Sequence, residues 1–176
     1  MGIKKMWRYY EREELINTPS FKDGIDAKTE FRYRSEGVKF IRFIGAKMDL
    51  GYNTIATGVV FFHRFYMAHS FKDFPRYVTA CSSLFLAGKA EETPKRCKDL
   101  VEAAKSLLTE DVFKTFGDNA KEEVMTFEKV LLKTINFEFS VEHPYKFLLK
   151  YGKYLRGDKA KVEKVVQRAW NFMNDR

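Results

Sequence analysis

The stretch Phe74–Pro94, FPRYVTACSSLFLAGKAEETP, decides how the rest of the chain reads. Turned by about 100° per residue, Val78, Cys81, Leu84, Phe85, Leu86 and Ala87 cover nearly the whole circumference of a helix. A helix that is apolar all round is a central one, packed on several neighbours. Pro75 suits its first turn. Glu91-Glu92-Thr93-Pro94 ends it, because a proline steers the residue before it away from helical geometry. Lys89 falls roughly 20–40° from Val78 and Phe85 on the wheel. A cation on that face has two readings. It is either a lysine snorkelling from the last turn, where it favours the helix dipole, or a recognition charge at the rim of an apolar docking patch.

Working outward, amphipathic periodicity predicts helices on both sides. A short one over about Met6 to Ile16 offers Trp7, Tyr10 and Leu15 to a larger body and is stopped by Asn17-Thr18-Pro19. Phe21 to Gly24 reads as a turn. Asp26 caps a long helix running to about Leu50, with Tyr33, Gly37, Phe40, Ile41, Ile44 and Met48 as its buried stripe. Asn53 is the expected cap of a second core helix, Thr54 to about His69. After the central helix comes one over about Arg96 to Leu108, with Leu100, Val101, Ala104 and Leu107 at core spacing. An irregular link, Thr109 to Asn119, leads to a helix over about Ala120 to Ile135 whose stripe is Val124, Phe127, Leu131 and Ile135. Glu128 falls within roughly 40° of Val124 and Leu132, and a carboxylate there is costly unless it is paired, hydrogen-bonded or waiting for donors at an interface. Lys89 and Glu128 therefore either pair with each other or together bracket a partner. An extended exit, Asn136-Phe137-Glu138-Phe139, precedes a helix from His143-Pro144 to about Leu155 and a last one after Gly157-Asp158. No strand is predicted, and the fold class is all-α.

Composition narrows the function. The 176 residues carry a formal charge of +8, which permits a polyanionic partner without requiring one. No apolar run approaches the roughly 20 residues that cross a bilayer, so no membrane partner is expected. Cys81 and Cys97 lack paired or metal-ligand spacing and read as reduced thiols of an intracellular protein. His63, His69 and His143 have no metal-ligand spacing and no nucleophile motif beside them, and His63 reads as a core histidine. Gly37, Gly45 and Gly51 are too scattered for a phosphate loop. No catalytic activity, cofactor, metal or small-molecule substrate is expected. The densest basic run, Lys146, Lys150, Lys153, Arg156, Lys159, Lys161, Lys164 and Arg168, reads as a solvated face, with nucleic-acid binding as the rival. Thr93-Pro94 fits a proline-directed phosphosite, though a helix-ending turn explains it equally well.

HRFYMAHSF, PRYVTACSSLFLAGKAEETPKRCKDL, KEEVMTFEKVLLKTINFEF and VEHPYKFLLKY together resemble the cyclin box of the transcriptional cyclins. The resemblance implies a five-helix domain, repeated once, that binds and activates a cyclin-dependent kinase and performs no chemistry itself. It divides the chain into an N-terminal helix and linker (1–25), a first cyclin box (26–139) and the beginning of a second, incomplete box (140–176). By position, Lys89 and Glu128 resemble the family's hallmark lysine and glutamate, which contact the kinase just before its regulatory helix. Leu86, Ala90, Glu91, Leu132, Phe137 and Phe139 fall at positions that resemble the surrounding docking surface. The implied kinase phosphorylates the repetitive tail of RNA polymerase II, which implies a nuclear protein; a cyclin-fold general transcription factor that binds nucleic acid is the alternative.

Two departures qualify the resemblance. Arg34 looks like the basic member of an internal salt bridge of cell-cycle cyclins, but His63 stands where the aspartate would be, as is typical of transcriptional cyclins, so Arg34 needs another partner. Arg32-Tyr33-Arg34-Ser35-Glu36 does not resemble the substrate-recruiting motif of cell-cycle cyclins, and that activity is not expected. The second repeat is cut during its second helix, so the chain is expected to be a fragment or a single-box form. The stripe of Val162, Val165, Val166, Ala169, Trp170, Phe172 and Met173 then needs cover. Lys89 and Glu128 are expected to face a partner rather than each other.

Overall fold

The computed structural model describes residues 10–174, and every regular element among them is helical. In order these are α1 (Arg12–Ile16), α2 (Pro19–Lys22), α3 (Ala27–Lys47), α4 (Tyr52–Phe65), α5 (Arg76–Ala90), α6 (Cys97–Lys105), α7 (Glu110–Phe113) with a 3-10 turn at Lys114–Phe116, α8 (Ala120–Thr134), α9 (Tyr145–Gly152) and α10 (Lys159–Asn174). The chain divides into two compact units after Ser140.

In the first unit α5 is the axis, and α3, α4, α6 and α8 all pack on it. Its sequence explains the position. Small residues on an otherwise apolar helix let neighbours come close: Gly58 of α4 lies against the Leu84 backbone, where a Cβ would come within 3.3 Å. Ser82, wholly buried, bonds both the Val78 carbonyl of its own helix at 3.0 Å and the Val124 carbonyl of α8 at 2.9 Å. Aromatic side chains fill the α4 side. Phe61, Phe62, Phe65 and Tyr66 are fully buried, and Tyr66 stacks on Phe71 while its hydroxyl donates to the Phe74 carbonyl at 2.8 Å. Losing one such ring, as in Phe62→Ala, costs about 3–5 kcal/mol.

Three helices end in the same device. At α3, α5 and α8 the amide two residues past the C-cap reaches back five residues: Leu50 to the Gly45 carbonyl, Thr93 to Gly88 and Phe137 to Leu132. The residues between, Asp49, Glu92 and Asn136, have φ of 51°, 56° and 51°. This is the Schellman arrangement, which satisfies carbonyls a helix end otherwise leaves open. It is built here without glycine.

Several boundaries differ from the pattern-based expectations. Met6–Tyr9, with Trp7, lie outside the described residues, and Leu15 is exposed at the mouth of a cavity of about 400 Å³ rather than covered. Of the expected turn at Phe21–Gly24, Phe21 and Lys22 belong to a single helical turn, α2, capped by the Thr18 side chain, and only Asp23 and Gly24 turn. Gly51, not Asn53, is the N-cap of α4, and that helix stops at Phe65 because Met67, Ala68 and His69 turn back on Arg64 and Phe65. The helix expected to reach Leu108 ends at Lys105, leaving Leu107 exposed. The irregular link folds into α7 and the 3-10 turn because Phe116 is buried and stacks on Phe113.

In the second unit α9 and α10 pack on each other. Val166 sits on Gly152, Trp170 lies 4.6 Å from the Tyr145 ring, and the Tyr145 hydroxyl donates to Asn174 at 2.8 Å. The stripe of α10 thus finds cover on α9 at Val166 and Trp170, while Val165 and Phe172 stay exposed. Among the described residues no helix is long and apolar enough to cross a membrane.

Candidate partner-docking surface

The seam between α5 and α8 carries the two charges singled out from the pattern, and they are joined. Lys89 Nζ lies 2.8 Å from Glu128 Oε1 and 3.0 Å from Oε2. The expectation that the two face a partner rather than each other therefore does not hold for the chain by itself. α5 ends one residue after Lys89, and the Ser82–Val124 contact brings α8 close enough for the carboxylate to reach it. The partners are unequally covered: the Lys89 side chain is 48% exposed and that of Glu128 only 9%. Oε2 takes the directed hydrogen bond, whereas Oε1 is buried, close to the ammonium, and accepts no well-angled bond among the described residues. The ammonium, half in water, retains donor capacity that an acceptor from outside can use.

The other predicted residues differ in exposure. Leu86 is in the core, Ala90, Glu91 and Leu132 are partly covered, and Phe137 and Phe139 are exposed. The Glu91 carboxylate turns away from Lys89 and accepts from Thr57 Oγ1 of α4 at 2.7 Å. Phe137 has φ 57°, a left-handed conformation that costs an L-residue about 1–2 kcal/mol. It follows Asn136 in the cap of α8, so the chain leaves the helix by two left-handed residues in a row. The result is that Phe137, 62% exposed, and Phe139 form an edge-to-face pair with centroids 6.4 Å apart outside the core. Strain that places an aromatic ring in water is not repaid within this chain.

Phe85 is a residue the pattern did not single out for the surface. Its ring lies 4.2 Å from Lys89 Nζ, and such a contact adds roughly 0.5–1 kcal/mol at an exposed site. The four-residue spacing from Phe85 to Lys89 on one helix was the available signal.

A second ion pair lies elsewhere in the bundle. Arg34, which lacked an aspartate partner at position 63, takes Glu30 one turn earlier, with Nε and a terminal nitrogen at 2.9 and 2.7 Å from Oε1. The remaining donors reach the His63 and Tyr66 carbonyls at 3.3 and 2.9 Å. Glu30 Oε2 accepts from the Thr18 hydroxyl, so the buried carboxylate is served on both oxygens. His63 is partly exposed rather than sealed in the core, with its Nδ1 3.4 Å from Arg34. Burial and then the Arg34 charge push it down to about 4.

Nothing else gathers into a reactive cluster among the described residues. No group of three or more metal-binding side chains occurs there. Cys81 and Cys97 are free and buried, and burial raises both thiols, which suppresses the thiolate. The eight basic residues from Lys146 to Arg168 are all exposed, Lys146 beside Glu142 at 2.6 Å.

Residues 5–140 match the family model of the cyclin N-terminal domain. The chain belongs to the cyclin family. It is 57% identical over 172 residues to Cyclin-K of Homo sapiens, covering 98% of this chain and 30% of that one. Against Cyclin-K of Danio rerio it is again 57% identical, covering 98% of this chain and 40% of the relative. The chain therefore spans less than half the length of these curated relatives. The crystal structure of the yeast RNA polymerase II CTD kinase CTDK-1 complex contains a chain of the same fold, with a TM-score of 0.68 and 21% identity over 86% of this chain and 50% of that one. These matches accord with the transcriptional subfamily to which His63 pointed.

Proposed function

We propose that this cyclin chain is the kinase-binding part of a regulatory subunit that activates a transcriptional cyclin-dependent kinase, one that phosphorylates the repetitive tail of RNA polymerase II. The observation that carries the reading is the Lys89–Glu128 pair across the α5–α8 seam, with its carboxylate buried and its lysine half-exposed. Residues 26–139 are read as the first cyclin box, 140–176 as the beginning of a second and 1–25 as an N-terminal helix and linker. The role places the protein in the nucleus and assigns it no chemistry of its own.

The mechanism is a population shift. An active kinase needs the ion pair between a strand lysine and a glutamate of its regulatory helix, and so needs that helix held inward. A cyclin that binds the inward state better raises its share. Moving a kinase from 1% to 99% active takes about 5.5 kcal/mol of differential binding. Desolvating charges that already satisfy each other offsets most of what they gain from a partner, so the charges set register. The energy is assigned to apolar burial, for which Phe137 and Phe139 offer roughly 1.5–3 kcal/mol each.

Co-expression of the chain with a transcriptional kinase catalytic subunit tests the reading. A stable complex that phosphorylates a polymerase-tail peptide at least tenfold faster than the kinase alone is expected. A chain that purifies apart from the kinase and leaves its rate unchanged would refute it.

A further inference from the structure

Two threonines of this chain precede prolines, Thr18 before Pro19 and Thr93 before Pro94, and the fold treats them in opposite ways. Thr18 is buried, donates its hydroxyl to Glu30 and caps α2. Thr93 is exposed at the head of a four-residue segment without regular structure, Thr93-Pro94-Lys95-Arg96, every residue of which is exposed. Pro94 holds Thr93 in extended geometry. Two cations follow the proline, whereas Thr18-Pro19 is followed by Ser20 and Phe21. Kinases take substrates as extended segments, and those directed by proline with trailing basic charge find that combination at Thr93 alone.

Thr93 is also part of the cap of the helix that carries Lys89. Its amide closes the Schellman bond to the Gly88 carbonyl at 2.8 Å, and its hydroxyl lies 2.9 Å from that of Thr54 on α4. The backbone of Thr93 packs so closely on the last turn of α5 that a Cβ at Gly88 would come within 3.2 Å of its carbonyl oxygen. Thr93 cannot move without disturbing Gly88, the neighbour of Lys89.

We propose that Thr93 is a phosphoacceptor for a proline-directed kinase and that its phosphorylation releases the α5–α8 docking surface. The second half rests on the kinase-docking reading above. In the reaction Thr93 Oγ1 bonds to the γ-phosphorus of ATP, the bond from that phosphorus to the β–γ bridging oxygen breaks to give ADP, and the hydroxyl proton passes to the modifying kinase's catalytic aspartate. The product adds about −1.5 to −2 charge at the C-terminal end of α5, where the helix dipole is already negative. Glu91 and Glu92 stand beside it, and Arg96 is engaged by Asp99 at 2.9 Å. That added charge opens the cap and loosens the turn that presents Lys89 to Glu128.

Incubation of the purified chain with a recombinant proline-directed kinase and Mg²⁺-ATP, followed by peptide mapping, tests the first half. Phosphate is expected on Thr93 of the folded chain and none on Thr18, with Thr93→Ala unlabelled. Labelling of Thr93 only after the chain is unfolded would overturn it. For the second half, phosphorylation is expected to speed amide exchange of Thr93 at least tenfold and to weaken binding to the transcriptional kinase at least tenfold, while the treated Thr93→Ala chain binds as before. Full labelling with unchanged exchange or unchanged binding would overturn the release. If even the unmodified chain does not bind the kinase, the docking reading falls, and labelling with the exchange of Thr93 still decides whether the modification opens the cap.

Discussion

The two ion pairs of the first unit use the same chemistry to different ends. Arg34–Glu30 is closed: the guanidinium forks onto one carboxylate oxygen, Thr18 serves the other, and the remaining donors meet backbone carbonyls of α4 and its exit. Lys89–Glu128 is open: the lysine is half in water over the Phe85 ring, and no second cation or hydroxyl closes the pair among the described residues. A saturated pair gains nothing from a partner and serves to fix α3 against α4. An undersaturated one at the edge of an apolar seam keeps interactions in reserve.

The largest effect that separates them is on stability. Arg34→Met leaves Glu30 buried without its cation and is expected to cost about 3–5 kcal/mol in denaturant unfolding. A loss below 1 kcal/mol would mean that the closed pair is not a staple.

Next in size is an effect on docking with the opposite sign for the fold. Phe137→Gly removes the ring and relieves the left-handed backbone, so kinase affinity is expected to fall by roughly 10- to 150-fold. The melting temperature should hold or rise, the backbone relief of about 1–2 kcal/mol exceeding the added flexibility of glycine. Calorimetry and a binding titration on the same sample measure both, and a falling melting temperature would place Phe137 in the core instead.

A third effect is a pH slope beside the closed pair. His63 titrates near 4 in the folded chain against an ordinary 6.5, so between those values the unfolded chain binds more protons and stability falls as pH falls. It is fully present above about 6.5 and declines toward 4. His69, also lowered by burial, adds a slope of the same sign. His63→Gln should flatten the dependence between pH 7 and 4.5 without abolishing it, and an unchanged slope would show that Arg34 and burial do not hold the imidazole neutral.

Much of this was legible from the chain. The five long helices follow from apolar periodicity, and α5 could be placed at the centre because Val78, Leu84 and Ala87 leave no polar face. Lys89 and Glu128 stood out as charges on apolar faces. Their pairing could not be chosen over mutual exposure, since a wheel gives an angle on each helix and no distance between helices. The Arg34–Glu30 pair was missed because a partner for Arg34 was sought across the bundle and not one turn away. Glu91 went unrecognised as an α4 contact because Thr57 is distant in sequence. The single-turn elements α2 and α7 are shorter than the period that reveals a helix.

The most direct test of the open pair is a charge swap, Lys89→Glu with Glu128→Lys. The reversed pair keeps both charges and their attraction across the seam, so the swapped chain is expected to lose less unfolding free energy than either single substitution, which leaves a charge unpaired. A partner sees the polarity reversed, and binding to the transcriptional kinase is expected to weaken by about 2–5 kcal/mol, or some 30-fold to several thousandfold. Binding of the swapped chain at the original affinity would contradict the account, because it would show that Lys89 and Glu128 serve only each other.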